Sequence, residues 1–381
     1  MSTAVDQQAP STAGPPAPGP DRRGKANPLR LVLGIVGLAV TLYLMITAFQ
    51  AIVLYDMPKL AQAGIAVVAG VGGSMMLFYF LNMAVEGLPL RVEGKLKPYV
   101  FILPAIVFIG LFLVYPTIQT IIYSFANDDS TAWVGLQNYT DVLGDPAFRQ
   151  TIFNNVLWIL IVPAVTVALG LMVAVLADKL SAGWEKAAKS IIFLPMAISF
   201  VGAATIWRFV YDRATGDSQV GLLNAVIAKL GFDPISWLQF SDFNLNDMLL
   251  MLILVWLQVG FSMVLLSAAI KSVPEETLEA ARIDGASEVQ AFFRVVVPQI
   301  KGTLITVFIT VLILVMKVFD VVYVMTNGSY KTNVIGLEFF KQIFQFSNAG
   351  LASTIVVLLM IAVIPVLIYQ VRHFKAEEAA R

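Results

Sequence analysis

Charged residues are scarce in this chain, so a cluster of them between apolar runs marks a place where chemistry is to be sought. The densest cluster is "LEAARIDGASEVQAFFRVVVP", Leu278 to Pro298, with Glu279, Arg282, Asp284, Glu288 and Arg294. Ser272 followed by Glu275 has the spacing of a capping box, and Pro274, Glu275 and Glu276 suit a first helical turn. The pattern predicts a helix from near Val273 with Leu278 and Ala281 on one face, ended by Gly285. A second helix is predicted from near Ser287, boxed by Gln290, with Val289, Phe292, Phe293 and Val296 as its apolar face. The result is a short helix, a glycine turn and an amphipathic helix. The local alternative is that Glu279 only pairs with Arg282 three residues on, worth a few tenths of a kcal/mol.

Lys317 and Asp320 are the second notable pair. Set three apart in an apolar run, they are predicted to face the protein interior on one helix face, as an ion pair or interhelical clasp, or along a solute path. Other chemistries are excluded by composition. The chain has no cysteine and one histidine, His373, which removes thiol catalysis, cysteine or multi-histidine zinc sites and a histidine triad. The glycine cluster "GVGGSMM", Gly70 to Met76, lacks the Lys-Ser/Thr of a phosphate loop, lies in an apolar run and reads as helix packing. No nucleotide site, metal site or catalytic carboxylate pair is expected, so the chain reads as a non-enzyme whose energy comes from elsewhere.

The elements that position these residues follow from hydropathy. With 58% hydrophobic and 13% charged residues in 381, the chain reads as an all-α polytopic membrane protein. Spanning roughly 30 Å of hydrocarbon takes about 20 apolar residues. Eight such runs occur, near residues 31–55, 60–85, 98–125, 151–177, 190–211, 248–270, 303–326 and 350–371. Pro104, Pro163, Pro195 and Pro365 fall inside them, which neighbouring helices can accommodate. Of 25 basic residues only Lys59, Arg149, Arg213, Lys229, Lys331 and Lys341 fall outside when the N-terminus is placed inside, with Arg208 and Lys317 in spans and Arg208 snorkelling outward. Both termini are therefore expected to be cytoplasmic. The external loops are correspondingly acidic, with Asp128, Asp129, Asp141, Asp145, Asp217, Asp233, Asp242 and Asp247. Residues 1–28, rich in proline and alanine, read as a disordered tail.

"EAARIDG" followed nine residues later by Pro298 resembles the EAA loop of permease subunits of binding-protein-dependent ABC importers. Glu279, Ala280, Ala281, Gly285 and Pro298 match in register, with Val295 and Val297 where the pattern prefers Ile and Leu. "GFSMVLLSAAIKSVPEETLEAARIDGA", "VGLQNYTDVLGDPAF" and "FDVVYVMTNGSYKT" are similar to sugar-importer permeases, most of all to the maltose and α-glucoside branch. Two departures are Asn327-Gly328-Ser329 for the more usual Gly-Gly-Pro and an external loop too short for a folded insertion.

The resemblance implies two extra N-terminal helices over residues 29–97 and a six-helix permease core over residues 98–375, with the coupling loop at residues 272–301. It implies a non-catalytic subunit moving a maltose-, trehalose- or other α-glucoside-type sugar across the cytoplasmic membrane. The partners implied are a pair of ATPase subunits that bind ATP and Mg, a second permease and an extracytoplasmic binding protein; no cofactor is implied in this chain, and no nucleic acid. Glu279, Ala280, Ala281, Asp284, Gly285 and Pro298 would form the ATPase-coupling element. Sugar contacts carried over by position are Gly260, Phe261, Ser262, Met263, Met316, Lys317, Phe319, Asp320 and Tyr323, with Phe261 or Tyr323 stacking on a sugar face. The alternative is a self-sufficient secondary transporter, in which internal repeats, broken helices and midplane carboxylates are expected. No internal repeat is evident.

Overall fold

The computed structural model describes residues 26–213 and 221–379. The tail expected over residues 1–28 lies outside them up to residue 25, as does Asp217. Among the described residues all regular structure is helical, apart from one isolated bridge between Ala126 and Trp133. Six helices are long and apolar enough to cross a bilayer, and two sharply bent pairs raise the number to eight.

Contacts divide the chain into units Met1–Pro116 and Thr117–Arg381. In the first, helix α1 (Pro28–Leu54) pairs with α2 (Lys59–Glu86). Asn27 caps α1, accepting from the Arg30 N–H at 3.3 Å, and its own N–H donates to the Gly87 carbonyl at 2.9 Å. Small residues allow the approach: a Cβ on Gly34 would lie 2.4 Å from the Ala84 nitrogen, and Gly73 lies against Met45. Gly70 and Gly72 meet nothing, and sit in a π-helical turn. The cluster read as packing glycines thus packs only in part. Helix α3 (Val92–Tyr123) follows, and Lys97 near its start bonds Glu93 at 3.3 Å and Glu86 at 3.5 Å.

The second unit opens with short α4 (Gln137–Gly144) and the 32-residue α5 (Pro146–Ala177), whose Asp145 cap accepts from the Ala147 N–H at 2.9 Å. Asn138 of α4 donates to the carbonyls of Ser124 and Ala126 at 3.1 and 2.7 Å, which anchors the external loop. Next come α6 (Ala182–Phe193), α7 (Phe200–Tyr211), α8 (Leu222–Lys229) and α9 (Leu245–Lys271). Helix α9 is central: 61% of its apolar window is buried, against 28% for α5, which it crosses. A helix apolar on all sides belongs in a core. Trp158 of α5, wholly buried, donates its indole N–H to Asp247 of α9 at 3.0 Å.

Beyond α9 lie α10 (Glu275–Ile283), α11 (Glu288–Gln299), α12 (Lys301–Met316), α13 (Asp320–Met325), α14 (Ile335–Phe344) and α15 (Ala349–Ala379). The turn between α13 and α14 has positive φ at Asn327, Gly328, Tyr330 and Lys331. Side-chain amides hold it: Asn154 donates to the carbonyls of Lys331 and Asn333 at 2.6 and 2.8 Å, and Asn246 to that of Tyr330 at 2.8 Å.

Two expected straight spans are broken. The run from Ser190 to Tyr211 stops in a 3-10 turn at Leu194–Ala197, passes through extended Ile198 and Ser199, and restarts in α7 at 104° to α6. Pro104, Pro163 and Pro365 stay inside helices, whereas Pro195 lies in this turn. Ser199 makes the restart possible, accepting from the Gly202 N–H at 3.1 Å. The run from Thr303 to Thr326 breaks at Lys317–Phe319, where φ is −106° at Lys317 and −147° at Phe319. Here Phe319 stacks on Tyr323 at 5.2 Å and meets Phe340 of α14 at 5.1 Å, and Gly336 leaves room beside the Val318 carbonyl. Tertiary ring packing overrides a continuous helix.

Candidate functional site

Two places concentrate accessible polar groups: the α10–α11 turn and a cavity at the two helix breaks. The turn is a rigid part. Helix α10 starts after Pro274, not at Val273, because α9 runs on to Lys271 and Ser272 closes it, donating to the Ala269 carbonyl at 2.7 Å. The capping box expected at Ser272 and Glu275 is therefore not formed. The box at Ser287 and Gln290 is, with bonds of 3.3 and 2.9 Å. Gly285 takes φ +81°; its N–H donates to the Arg282 carbonyl and that of Ala286 to the Ala281 carbonyl, both at 3.0 Å. This paired closure is a Schellman turn. Arg282 bridges it by pairing with Glu288 at 3.1 Å, so the local partner considered for Glu279 is taken.

Among the described residues Glu279 makes no ion pair, and it is exposed together with Ala280, Asp284 and Ile283, which is 86% exposed. Ile283 escaped the motif, although a large aliphatic at the end of a charged helix is a signal for contact. On α11, Val289 and Phe293 are exposed while Ala291 and Val296 are buried, so the expected apolar face is only partly covered. Residues Phe292–Val296 form a π turn, and Pro298 follows it just ahead of the 71° bend into α12.

Behind α10, the end of α9 is clasped by charges on α5 and α6 that sequence reading missed. Lys189 bonds Asp178 at 2.5 Å, Glu185 at 2.6 Å and the Ser267 hydroxyl; Lys271 pairs with Glu185. Ser267 also donates to Asp178 at 2.8 Å. Glu185 and Lys189 are four apart on α6, a local pair that could have been read, whereas Ser267 and Lys271 lie 78 to 89 residues from their partners and leave no local pattern. Lys189→Met removes the shared centre of this clasp, and thermal unfolding of the purified protein should shift down by about 2–4 °C. An unchanged midpoint would show that the clasp is solvent-balanced.

The cavity has a volume of about 510 Å³ and is walled by the α6–α7 break, α9, α12 and the first residue of α13. Its rings are Phe200 and Phe261, and its polar groups Ser199, Gln258, Thr310 and Asp320. Of the positions expected to contact a solute, Phe261 and Asp320 line it. The others are elsewhere. Gly260 lets α9 touch the backbone of Ile192 and Phe193, a Cβ there lying 2.5 Å from the Ile192 oxygen. Ser262 is buried against Gly170 with its hydroxyl unpaired, and Met263 and Met316 are in the core. Phe319 and Tyr323 stack on each other beside Phe340, and Lys317 is exposed at the break. The expected Lys317–Asp320 pairing is not made, because the helix ends at Met316 and restarts at Asp320, which destroys the three-residue register. Gln258, one turn before Phe261, was missed; an amide midway along the apolar run from Met248 to Phe261 was the available signal.

The model of the binding-protein-dependent transport system inner membrane component family matches residues 98–374. The chain belongs to that family. This permease is 43% identical over 336 residues to the alpha-glucoside transport system permease protein AglF of Rhizobium meliloti, covering 84% of this chain and 99% of the relative. It is 46% identical over 282 residues to the osmoprotective compounds uptake permease protein GgtC of Synechocystis sp., covering 74% of the permease and all of that relative. A crystal structure of a bacterial ABC transporter involved in import of the acidic polysaccharide alginate has a chain of the same fold, with TM-score 0.65, 21% identity and coverage of 75% of the permease and 99% of that chain. The helices belong to an ABC importer permease fold, and the chain is a multi-pass membrane component of a transporter.

Proposed function

We propose that this permease carries an α-glucoside-type sugar inward across the cytoplasmic membrane, driven by a separate pair of ATPase subunits that dock on α10. The observation that carries this reading is α10 itself: an exposed acid, Glu279, and an exposed aliphatic, Ile283, held at a fixed angle by the Schellman turn and the Ser287 box. A preset surface of this kind loses little freedom on docking. The permease performs no catalysis; ATP and Mg bind the partner, whose closure moves α10 as a rigid body. A second permease and an extracytoplasmic binding protein complete the assembly, with both termini of this chain in the cytoplasm. The relative named for alpha-glucoside transport supports the substrate class. The two-ring cavity supports a sugar seat at the helix breaks, since aromatic faces pack against pyranose rings while amide and hydroxyl groups bond the sugar hydroxyls.

The test is charge reversal at the tip. Glu279→Lys should insert normally, yet co-purified ATPase and α-glucoside-stimulated hydrolysis should both fall at least about 10-fold, as expected where an unfavourable charge is forced into an interface. Retention of both at wild-type levels would remove α10 as the docking element.

A further inference from the structure

Resting on the reading of the cavity as the sugar seat, we propose that Asp320 makes this seat select sugars by charge, admitting neutral and cationic pyranosides and rejecting anionic ones. Asp320 is the one charged side chain lining the cavity, and neither lysine nor arginine lines it. Lys317, the nearest basic residue in sequence, is exposed on the helix break and does not line the cavity. Among the described residues the Asp320 carboxylate has no hydrogen-bond or ion-pair partner, so its acceptor oxygens are free for a solute.

The other polar groups are neutral and differ in what they can offer. Ser199 already accepts from the Gly202 N–H, which leaves its hydroxyl proton to donate. Thr310 donates to the Thr306 carbonyl at 2.8 Å, which leaves its oxygen to accept. Gln258 is 7% exposed and makes no hydrogen bond among the described residues, so both ends of its amide are available to the cavity. Together these groups suit an uncharged polyol, whose hydroxyls both donate and accept. The carboxylate adds a bias, since it accepts only. Hydroxyl donors satisfy it, an ammonium substituent satisfies it better, and a second carboxylate is repelled.

The break in the seventh span is what brings this about. A helix continuous from α12 would have kept Lys317 and Asp320 on one face, where the lysine could neutralise the acid. Interruption at Lys317–Phe319 separates them, leaving the cation outside and the anion in the wall.

The experiment is competition against a radiolabelled α-linked glucose disaccharide, bound to the full complex with its second permease and ATPase in lipid nanodiscs, without binding protein. The competitors are methyl α-glucoside, its 6-carboxylate (methyl α-glucuronide) and its 2-amino analogue. In wild type the carboxylate should compete about 100-fold more weakly than the neutral glycoside and the amine more strongly, the signs set by charge. Asp320→Asn keeps the shape and one acceptor oxygen while removing the charge. Measured relative to the neutral glycoside, it should improve the carboxylate and weaken the amine, opposite movements that a loss of folding does not produce. If the labelled disaccharide binds and Phe261→Ala abolishes that binding, but Asp320→Asn moves neither charged competitor, the charge inference is wrong and the cavity reading stands. If the labelled disaccharide does not bind wild type, or Phe261→Ala leaves binding intact, both fall.

Discussion

Gly285→Pro should uncouple the transporter while leaving its membrane helices intact. Proline fixes φ near −65°, whereas residue 285 stands at +81°. It also removes the N–H that donates to the Arg282 carbonyl, so the paired closure of α10 opens. The angle between α10 and α11 is then no longer set, and sugar-stimulated ATP hydrolysis should fall to its basal level, a drop of at least about 10-fold. A graded series separates backbone conformation from side-chain bulk. Asparagine tolerates the left-handed region better than most residues, so Gly285→Asn should retain most coupling. Gly285→Ala, with strain of about 1–2 kcal/mol, should fall between Asn and Pro. Normal coupling in the proline variant would mean that the turn is not transmitting motion, and the proposal for α10 would be lost with it.

Trp158→Ala should be among the most destabilising single changes in the chain. The side chain is wholly buried between α5 and α9, and large aromatic truncations in a core cost about 3–5 kcal/mol. Among the described residues its indole N–H is also the one donor that the Asp247 carboxylate receives, and the other carboxylate oxygen already has no partner. Truncation thus leaves a buried acid with no donor next to a cavity. Trp158→Phe separates the two losses: most of the ring volume remains, and the missing hydrogen bond alone should cost about 1–3 kcal/mol. Thermal unfolding of the purified complex reads both. If alanine and phenylalanine lowered the midpoint equally, the hydrogen bond would be the whole effect.

Much of this architecture was readable from local pattern. Apolar runs of bilayer length mark the spans, Gly285 marks the left-handed turn, and Ser287 with Gln290 marks the start of α11, each being decided within a few residues. The helix breaks were not readable in the same way. At Ile198–Ser199 the nearby Pro195 was visible, but proline is tolerated inside three other helices, so it does not decide the matter. At Lys317–Phe319 neither proline nor glycine is present; the break depends on Phe340 and Gly336 arriving from α14. Losing the helical register there also scattered the expected sugar contacts, so that Phe319 and Tyr323 stack with Phe340 while Asp320 reaches the cavity. Ser272 was misread because two boundaries compete for it, and the end of α9 takes it before α10 can. Broken helices had been expected to favour a self-sufficient carrier. They occur here in an ABC importer permease, consistent with irregular backbone being tolerated where it lines a cavity.

Helix α9 differs from its neighbours at the cavity in having no interruption. Gln258 and Phe261 lie on it, as does Lys271, and only Ser272, Val273 and Pro274 separate its end from α10. The thirteen helical steps from Gln258 to Lys271 make a strut about 20 Å long. The opposing cavity walls are bounded by the breaks at Ile198–Ser199 and Lys317–Phe319 and by the 71° bend before Lys301, so no continuous helix ties them to this strut. A tilt of only about 5° about the Lys271 end displaces Gln258 by about 1.7 Å, which is more than a hydrogen bond can stretch and survive. On the proposed reading, a seat assembled from one lever and two separately bounded walls would release its occupant when the lever turns, without any helix having to bend.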